Sequence, residues 1–250
     1  MPRFFVDASQ IAGDRATLTS ADAGHLARSL RARAGETIIV VEDGSIEHGV
    51  RLDEVSLARV SGVILWSRAA SGEPRLAVHV LQAVPAQGMD TTVEALSAAG
   101  AASIRPVLTN RTVARPDASR ASRRLERWAL IAREAAQLAG RAVPPEVHRL
   151  ATLPGALDAL PPGAHIVVCD TRTGAVPIRD AVPHPPADLG LVIGPEGGFD
   201  EADLEILARA GAVSVHLGPR TWPSRLAGTV ATVLLLAGAG DLDAAAEALP

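Results

Sequence analysis

Two glycine-bearing stretches and a scatter of arginines hold the groups in this chain whose types and spacing can do chemistry. Gly194-Pro195-Glu196-Gly197-Gly198 follows an apolar run ending at Leu191–Ile193, and Leu217-Gly218-Pro219-Arg220 follows a shorter one. Glycines at such points let main-chain N–H and C=O groups approach a ligand without side chains in the way. Many glycine loops at helix starts cradle phosphate. Here Asp200, Glu201 and Asp203 crowd the next helix start and would repel one, and neither GK[ST] nor GxGxxG is present. A ligand without phosphate, or a cationic one, suits the stretch; a tight strand-to-helix turn built for geometry alone is the other reading. Glu196 can face such a ligand or cap nearby backbone.

The elements that must position these groups follow from the same residues. Asp200 is a good N-cap for a helix running to about Ala210, and Gly211 sits where a glycine ends one. The segment 189–237 is then strand, turn, helix, short strand, turn, helix, with both loops at the C-terminal ends of parallel strands, where open α/β sheets bind ligands. Upstream, from Leu76, strands at Leu76–Ala83, Ser103–Leu108, Ile166–Cys169 and Gly190–Ile193 alternate with helices at Met89–Ala99 and Ser119–Ala139. That alternation predicts a mostly parallel sheet covered by helices. On the Ser119–Ala139 helix, Leu125, Trp128, Ala132, Ala135 and Leu138 form the apolar stripe. Residues 1–68 show short alternating stretches, Thr37–Val41 and Val50–Val60, with a turn signal at Glu42-Asp43-Gly44, which suits a small barrel. Ser67–Pro74 makes a plausible linker.

Composition narrows the function. A chain of 250 residues has room for one large or two modest domains, and 48% hydrophobic residues support packed cores. The single cysteine, Cys169, excludes an internal disulfide and suits a reducing compartment. There is no charged-then-apolar leader, and the longest apolar stretch, Leu226–Ala239, is too short to span a bilayer, so the expectation is a cytoplasmic protein away from membranes. A net charge of −4 does not advertise a nucleic-acid binder, but the basic residues, all arginine, are unevenly placed. Arg105, Arg111, Arg115, Arg120, Arg123, Arg124 and Arg127 fall within one short segment, able to contact phosphates or simply to face solvent. The seven histidines lack ligand spacing, so no metal is expected. His216 fits a strand end better than a base, Ser224 lacks the context of a nucleophile, and His25 belongs to the N-terminal domain as a structural residue.

IGPEGGF followed by LGPR resembles the RsmE family, the 16S rRNA uridine-N3 methyltransferases of the SPOUT class. The opening MPRFFVD and HLARSLRARAGETIIVVEDG (His25–Gly44) are similar to its N-terminal domain. PVLTNRTV (Pro106–Val113) resembles its strand and arginine loop, and LERWALIAREAAQLAGR (Leu125–Arg141) its central helix. The resemblance implies an α/β fold: a SPOUT-type, trefoil-knotted parallel-sheet domain over 75–250, preceded by a PUA-like, substrate-binding β-barrel over 1–70. It implies S-adenosylmethionine held by Asp170 from one loop, by Ile193, Gly194, Glu196, Gly197 and Gly198 from a second, and by Leu217, Gly218, Trp222 and Leu226 from a third. A sulfonium cofactor carries no phosphate, which agrees with the acidic helix start. Arg111, Arg220 and Arg225 are implied as catalytic, supplying positive charge as a ring nitrogen loses its proton. Arg115, Arg123, Arg124 and Arg141 are implied as substrate-binding, and the final helix as a homodimer interface.

The chain departs from the family after LGPR. Pro223 falls at the family's arginine and Arg225 where Glu or Ser is usual; earlier, Ala98 replaces a glutamate and a common lysine is missing. Either Arg225 stands in for the lost arginine or the substrate has changed. The leading expectation is methylation of N3 of a 16S rRNA uridine on the assembled 30S subunit. The alternative is a diverged relative methylating a ring nitrogen of a small heterocycle or nucleoside in specialised metabolism. A third reading is an RNA-binding protein with a vestigial pocket.

Overall fold

The computed structural model describes residues 1–113, 118–170, 174–185 and 187–243, without the side chains of 20, 21 and 118–120. Arg115 therefore lies outside the described residues. Among the described residues the chain divides into two compact units: Met1–Glu73 together with Gln137–Val143, and Pro74–Ala136 together with residues 144–243.

The first unit is a six-stranded sheet. Its strands are β1 (Arg3–Val6), β2 (Ile11–Ala12), β3 (Arg15–Thr19), β4 (Thr37–Glu42), β5 (Ile46–Val55) and β6 (Arg59–Ala69), in the order β1-β4-β5-β6-β3-β2. The sheet is mixed: β1 runs parallel to β4 and the other pairings are antiparallel. A short helix α1 (Ser20–Gly24) and a π-helical turn (His25–Ser29) follow β3. The His25 ring lies 6.2 Å from that of Phe4, beside a core of Phe4, Leu18, Leu26, Ile38 and Leu52. Val50–Val60 is not one strand: the chain turns at Ser56–Ala58, where the Ser56 hydroxyl donates to the Arg59 carbonyl.

In the second unit, parallel pairings join β7 (Ala77–Ala83), β8 (Ser103–Leu108), β9 (Glu146–Val147), β10 (Ala151–Thr152), β11 (His165–Cys169), β12 (Val176–Pro177), β13 (Asp188–Ile193) and β14 (Val213–His216). The order is β10-β8-β7-β13-β11-β14-β12, with β9 on β8. Successive strand residues point to opposite faces, and here both faces are apolar. Val78, Val80, Leu191 and Ile193 join α2 (Met89–Ala99), Trp128 and Ala132 of α3 (Ala118–Leu138), and Leu235 of α6 (Ser224–Gly238). Leu81, Val168 and Val192 join Leu153 of α4 (Leu153–Asp158) and Leu207 of α5 (Glu201–Arg209). Burial on both faces explains why these strands are near-continuous apolar runs. The stripe on α3 drifts at its end, burying Ala136 and leaving Leu138 exposed. Among the described residues no helix is long and apolar enough to cross a membrane.

Candidate active site

A cleft of about 790 Å³ opens at the C-terminal ends of β11, β13 and β14. This is a usual size for a small-molecule site. Cys169 and Asp170 contribute from the end of β11, and Ile193, Gly194, Glu196 and Gly198 from the loop after β13. Leu217, Gly218, Arg220 and Trp222 line it from the loop after β14. These are the three loops expected from the sequence. Gly197 and Leu226 lie next to the lining residues but not among them.

The second and third loops are held by side chains that satisfy their main chain. The Ser224 hydroxyl, buried at the first turn of α6, donates to the Gly194 carbonyl at 2.6 Å. Gln82, fully buried in β7, donates from Nε2 to Ser224 Oγ at 3.3 Å and to the Ala83 carbonyl at 3.0 Å. Sequence reasoning missed this Gln82–Ser224–Gly194 chain. Its only signal is a glutamine inside an otherwise apolar strand. Glu196 both lines the cleft and accepts the Ala86 N–H at 3.1 Å, so the ligand-facing and capping readings are compatible. In the third loop, His216 Nδ1 accepts the Gly218 N–H at 3.2 Å, and the Trp222 indole N–H donates to the Leu217 carbonyl at 3.4 Å. Gly218 sits at φ +88, a conformation that favours glycine.

Pro223 is the N-cap of α6, at φ −54 and ψ 141, and its carbonyl accepts the Leu226 and Ala227 N–H groups at 2.8 and 2.9 Å. Its fixed φ suits the helix entry, and its missing N–H removes a donor that α6 does not use. The proline starts the helix rather than breaking it.

The predicted arginines separate. Arg220 is exposed and lines the cleft. Arg111 lies at its edge, donating from Nη1 to the Gly197 carbonyl at 2.8 Å. Arg225 is outside the lining: its carbonyl accepts the Thr92 hydroxyl, and its Cδ would lie 3.4 Å from a Cβ on Gly88, the N-cap of α2. Arg123 is exposed and Arg124 half-buried on α3, away from the lining residues, while Arg127 pairs with Asp90 at 2.6 Å. Arg141, expected at the substrate, is buried in the first unit and paired with Glu73, its Nη2 2.7 Å from Oε2.

Among the described residues, the charged side chains lining the cleft are the carboxylates of Asp170 and Glu196 and the Arg220 guanidinium. Burial and the adjacent Asp170 carboxylate push the Cys169 thiol up to about 12, so it stays protonated and is no nucleophile at neutral pH. Gly194 is needed for space. A Cβ there would lie 3.0 Å from the Phe199 ring. Gly194→Val is therefore expected to weaken binding of a ligand in the cleft roughly 10- to 100-fold, the effect of overpacking by about 1–3 kcal/mol. Calorimetric titration with S-adenosylmethionine checks it, and an unchanged dissociation constant would show that Phe199 simply moves aside.

Residues 72–236 match the sequence model of the RNA methyltransferase domain. The chain belongs to this RNA methyltransferase family. The methyltransferase domain spans the whole sheet and its cleft. The chain is similar to the ribosomal RNA small subunit methyltransferase E of Synechocystis, 29% identical over 234 residues covering 92% of this chain and 75% of the relative. The Bacillus subtilis methyltransferase of the same name is 25% identical over 230 residues, covering 88% and 90%. A crystal structure of the Neisseria gonorrhoeae ribosomal RNA small subunit methyltransferase E bound to S-adenosyl methionine superposes with a TM-score of 0.84 at 27% identity, covering 95% of this chain and 97% of that one.

Proposed function

We propose that this chain is an S-adenosylmethionine-dependent methyltransferase of the RsmE type that methylates N3 of a uridine in 16S rRNA on the assembled 30S subunit. The observation that carries this is the cleft itself: among the described residues, three loops present main chain, the Asp170 and Glu196 carboxylates and the Arg220 guanidinium, inside an RNA methyltransferase domain. The cofactor supplies a methyl group on a positively charged sulfur. The cleft suits it in charge, through Asp170 and Glu196, and in size, at about 790 Å³. Ile193, Gly194, Gly198, Leu217, Gly218 and Trp222 would hold it, with Ser224 and Gln82 keeping the second loop in register. Arg220 stabilises the negative charge left when uridine N3 gives up its proton, and Arg111 braces the glycine loop through the Gly197 carbonyl.

The reading includes the finer fold implied by the family resemblance, a PUA-like barrel in the first unit and a trefoil knot in the second. The sheet order, with β11 between β13 and β14, supports the knot. A homodimer through α6 is supported by Leu226, Val233 and Leu234, which the single chain leaves exposed. The test is methyl transfer from radiolabelled S-adenosylmethionine to unmethylated 30S subunits, with a known family enzyme as positive control. Incorporation mapped to N3 of a 16S uridine upholds the proposal. Absence of incorporation by protein that binds the cofactor overturns it in favour of a small nitrogen heterocycle or nucleoside.

A further inference from the structure

Asp203 is an odd residue to find where it sits. It lies in the first turn of α5, almost fully buried, on a helix whose neighbouring positions Leu204, Ile206 and Leu207 pack against the sheet. Burial and the nearby Asp200 carboxylate push its carboxyl above the ordinary range. A buried carboxylate is costly, and an apolar side chain of similar size commonly stabilises such a place better. What the carboxylate does is accept a hydrogen bond from outside its own helix: the Asn110 main-chain N–H donates to Asp203 Oδ2 at 3.3 Å. The Asn110 amide donates in turn to Asp200 Oδ1, also at 3.3 Å. Asn110 and Arg111 occupy a turn closed by Thr112, whose Oγ1 accepts the Thr109 N–H at 2.9 Å. The next residue is Arg111, exposed, with Nη1 on the Gly197 carbonyl. A long exposed arginine loses considerable rotamer freedom when held in one geometry, so the loop that carries it must itself be anchored.

We propose that Asp203 is a positioning residue for methyl transfer, fixing the 109–112 turn through the Asn110 main chain so that Arg111 keeps its hold on the glycine loop. This rests on the proposed function of the cleft. Asp203 touches neither the cleft nor its ligand; it acts through Arg111.

The experiment uses the full-length chain with Asp203→Ala, Asp203→Asn, Arg111→Ala and the Asp203→Ala/Arg111→Ala double variant. Asp203→Ala is expected to lower kcat on 30S subunits about tenfold, the loss of one hydrogen bond to a charged acceptor. Cofactor affinity should weaken in parallel in Asp203→Ala and Arg111→Ala, and the melting temperature should fall only by the few degrees that one lost hydrogen bond costs. Asparagine retains an acceptor, so Asp203→Asn restores most of the rate. In the Arg111→Ala background, adding Asp203→Ala costs nothing further, since coupled residues are non-additive. Independent of any substrate, hydrogen exchange of the 109–112 amides should quicken about tenfold in Asp203→Ala and not in Asp203→Asn. Losses that multiply in the double variant, or unchanged exchange, overturn the proposal. If the wild-type protein fails to methylate 30S subunits, the proposed substrate falls while the exchange result still decides the role of Asp203.

Discussion

Arg220→Ala is expected to slow methyl transfer by roughly 100- to 1,000-fold, the usual cost of removing one preorganised group that stabilises developing charge. Three arginines were candidates for that task, and their surroundings distinguish them. Arg111 spends a donor on the Gly197 carbonyl, and the Arg225 side chain lies beside Gly88 at the start of α2. Arg220 alone of the three lines the cleft. Because its side chain is not part of the loop's internal hydrogen bonding, truncation should leave cofactor affinity within about threefold, so that the loss appears in kcat and not in binding. Single-turnover rates with saturating cofactor, set beside calorimetric dissociation constants, separate the two. Arg220→Lys should recover part of the rate, since it restores charge without the planar fork. A decrease smaller than about threefold would move the charge-stabilising role to Arg111.

The largest loss of stability is expected in the first unit, from Glu47→Ala. Glu47 in β5 is fully buried and holds two guanidinium groups, Arg3 at 2.9 Å and Arg68 in direct contact. Arg68 also lies over the Trp66 ring at 5.5 Å, and Arg3 is itself nearly buried. Removing the carboxylate leaves two poorly solvated cations facing each other, which costs about 3–5 kcal/mol when a buried pair is broken from one side. Denaturant melts followed by the intrinsic fluorescence of Trp66 report on this unit. Glu47→Gln keeps the shape and some hydrogen bonding and should lose less. A change below about 1 kcal/mol would mean that water reaches these arginines and the pairs behave as surface ones.

Much of the second unit was legible in the sequence because its boundaries are chemical. Met89–Ala99 is bracketed by Gly88 and Gly100, both at positive φ, and Asp200 caps α5 by accepting the Asp203 N–H at 2.9 Å. The glycine loops announced themselves through residue types that only close backbone approach requires. What stayed hidden depends on partners far away in sequence. Nothing near Gln82 says that its amide reaches Ser224, and nothing near Asn110 says that its N–H reaches Asp203. The turn between β5 and β6, Ser56-Leu57-Ala58, contains neither glycine nor proline, so the hairpin was read as a single strand. Arg141 looked like a substrate contact because a family resemblance transfers residue identity, whereas its burial against Glu73 is a property of the folded unit.

That last clamp bears on how such a protein can be inherited. Glu73 receives the Ala142 and Val143 N–H groups at 2.8 and 3.1 Å as well as the Arg141 guanidinium, so the first unit is completed by residues encoded some seventy codons downstream. A recombination event that exchanged only the leading part of the gene would import a Glu73 whose three donors belong to another lineage. The first unit of this protein is discontinuous in the gene, and shuffling it requires carrying a piece of what looks, in linear order, like the second.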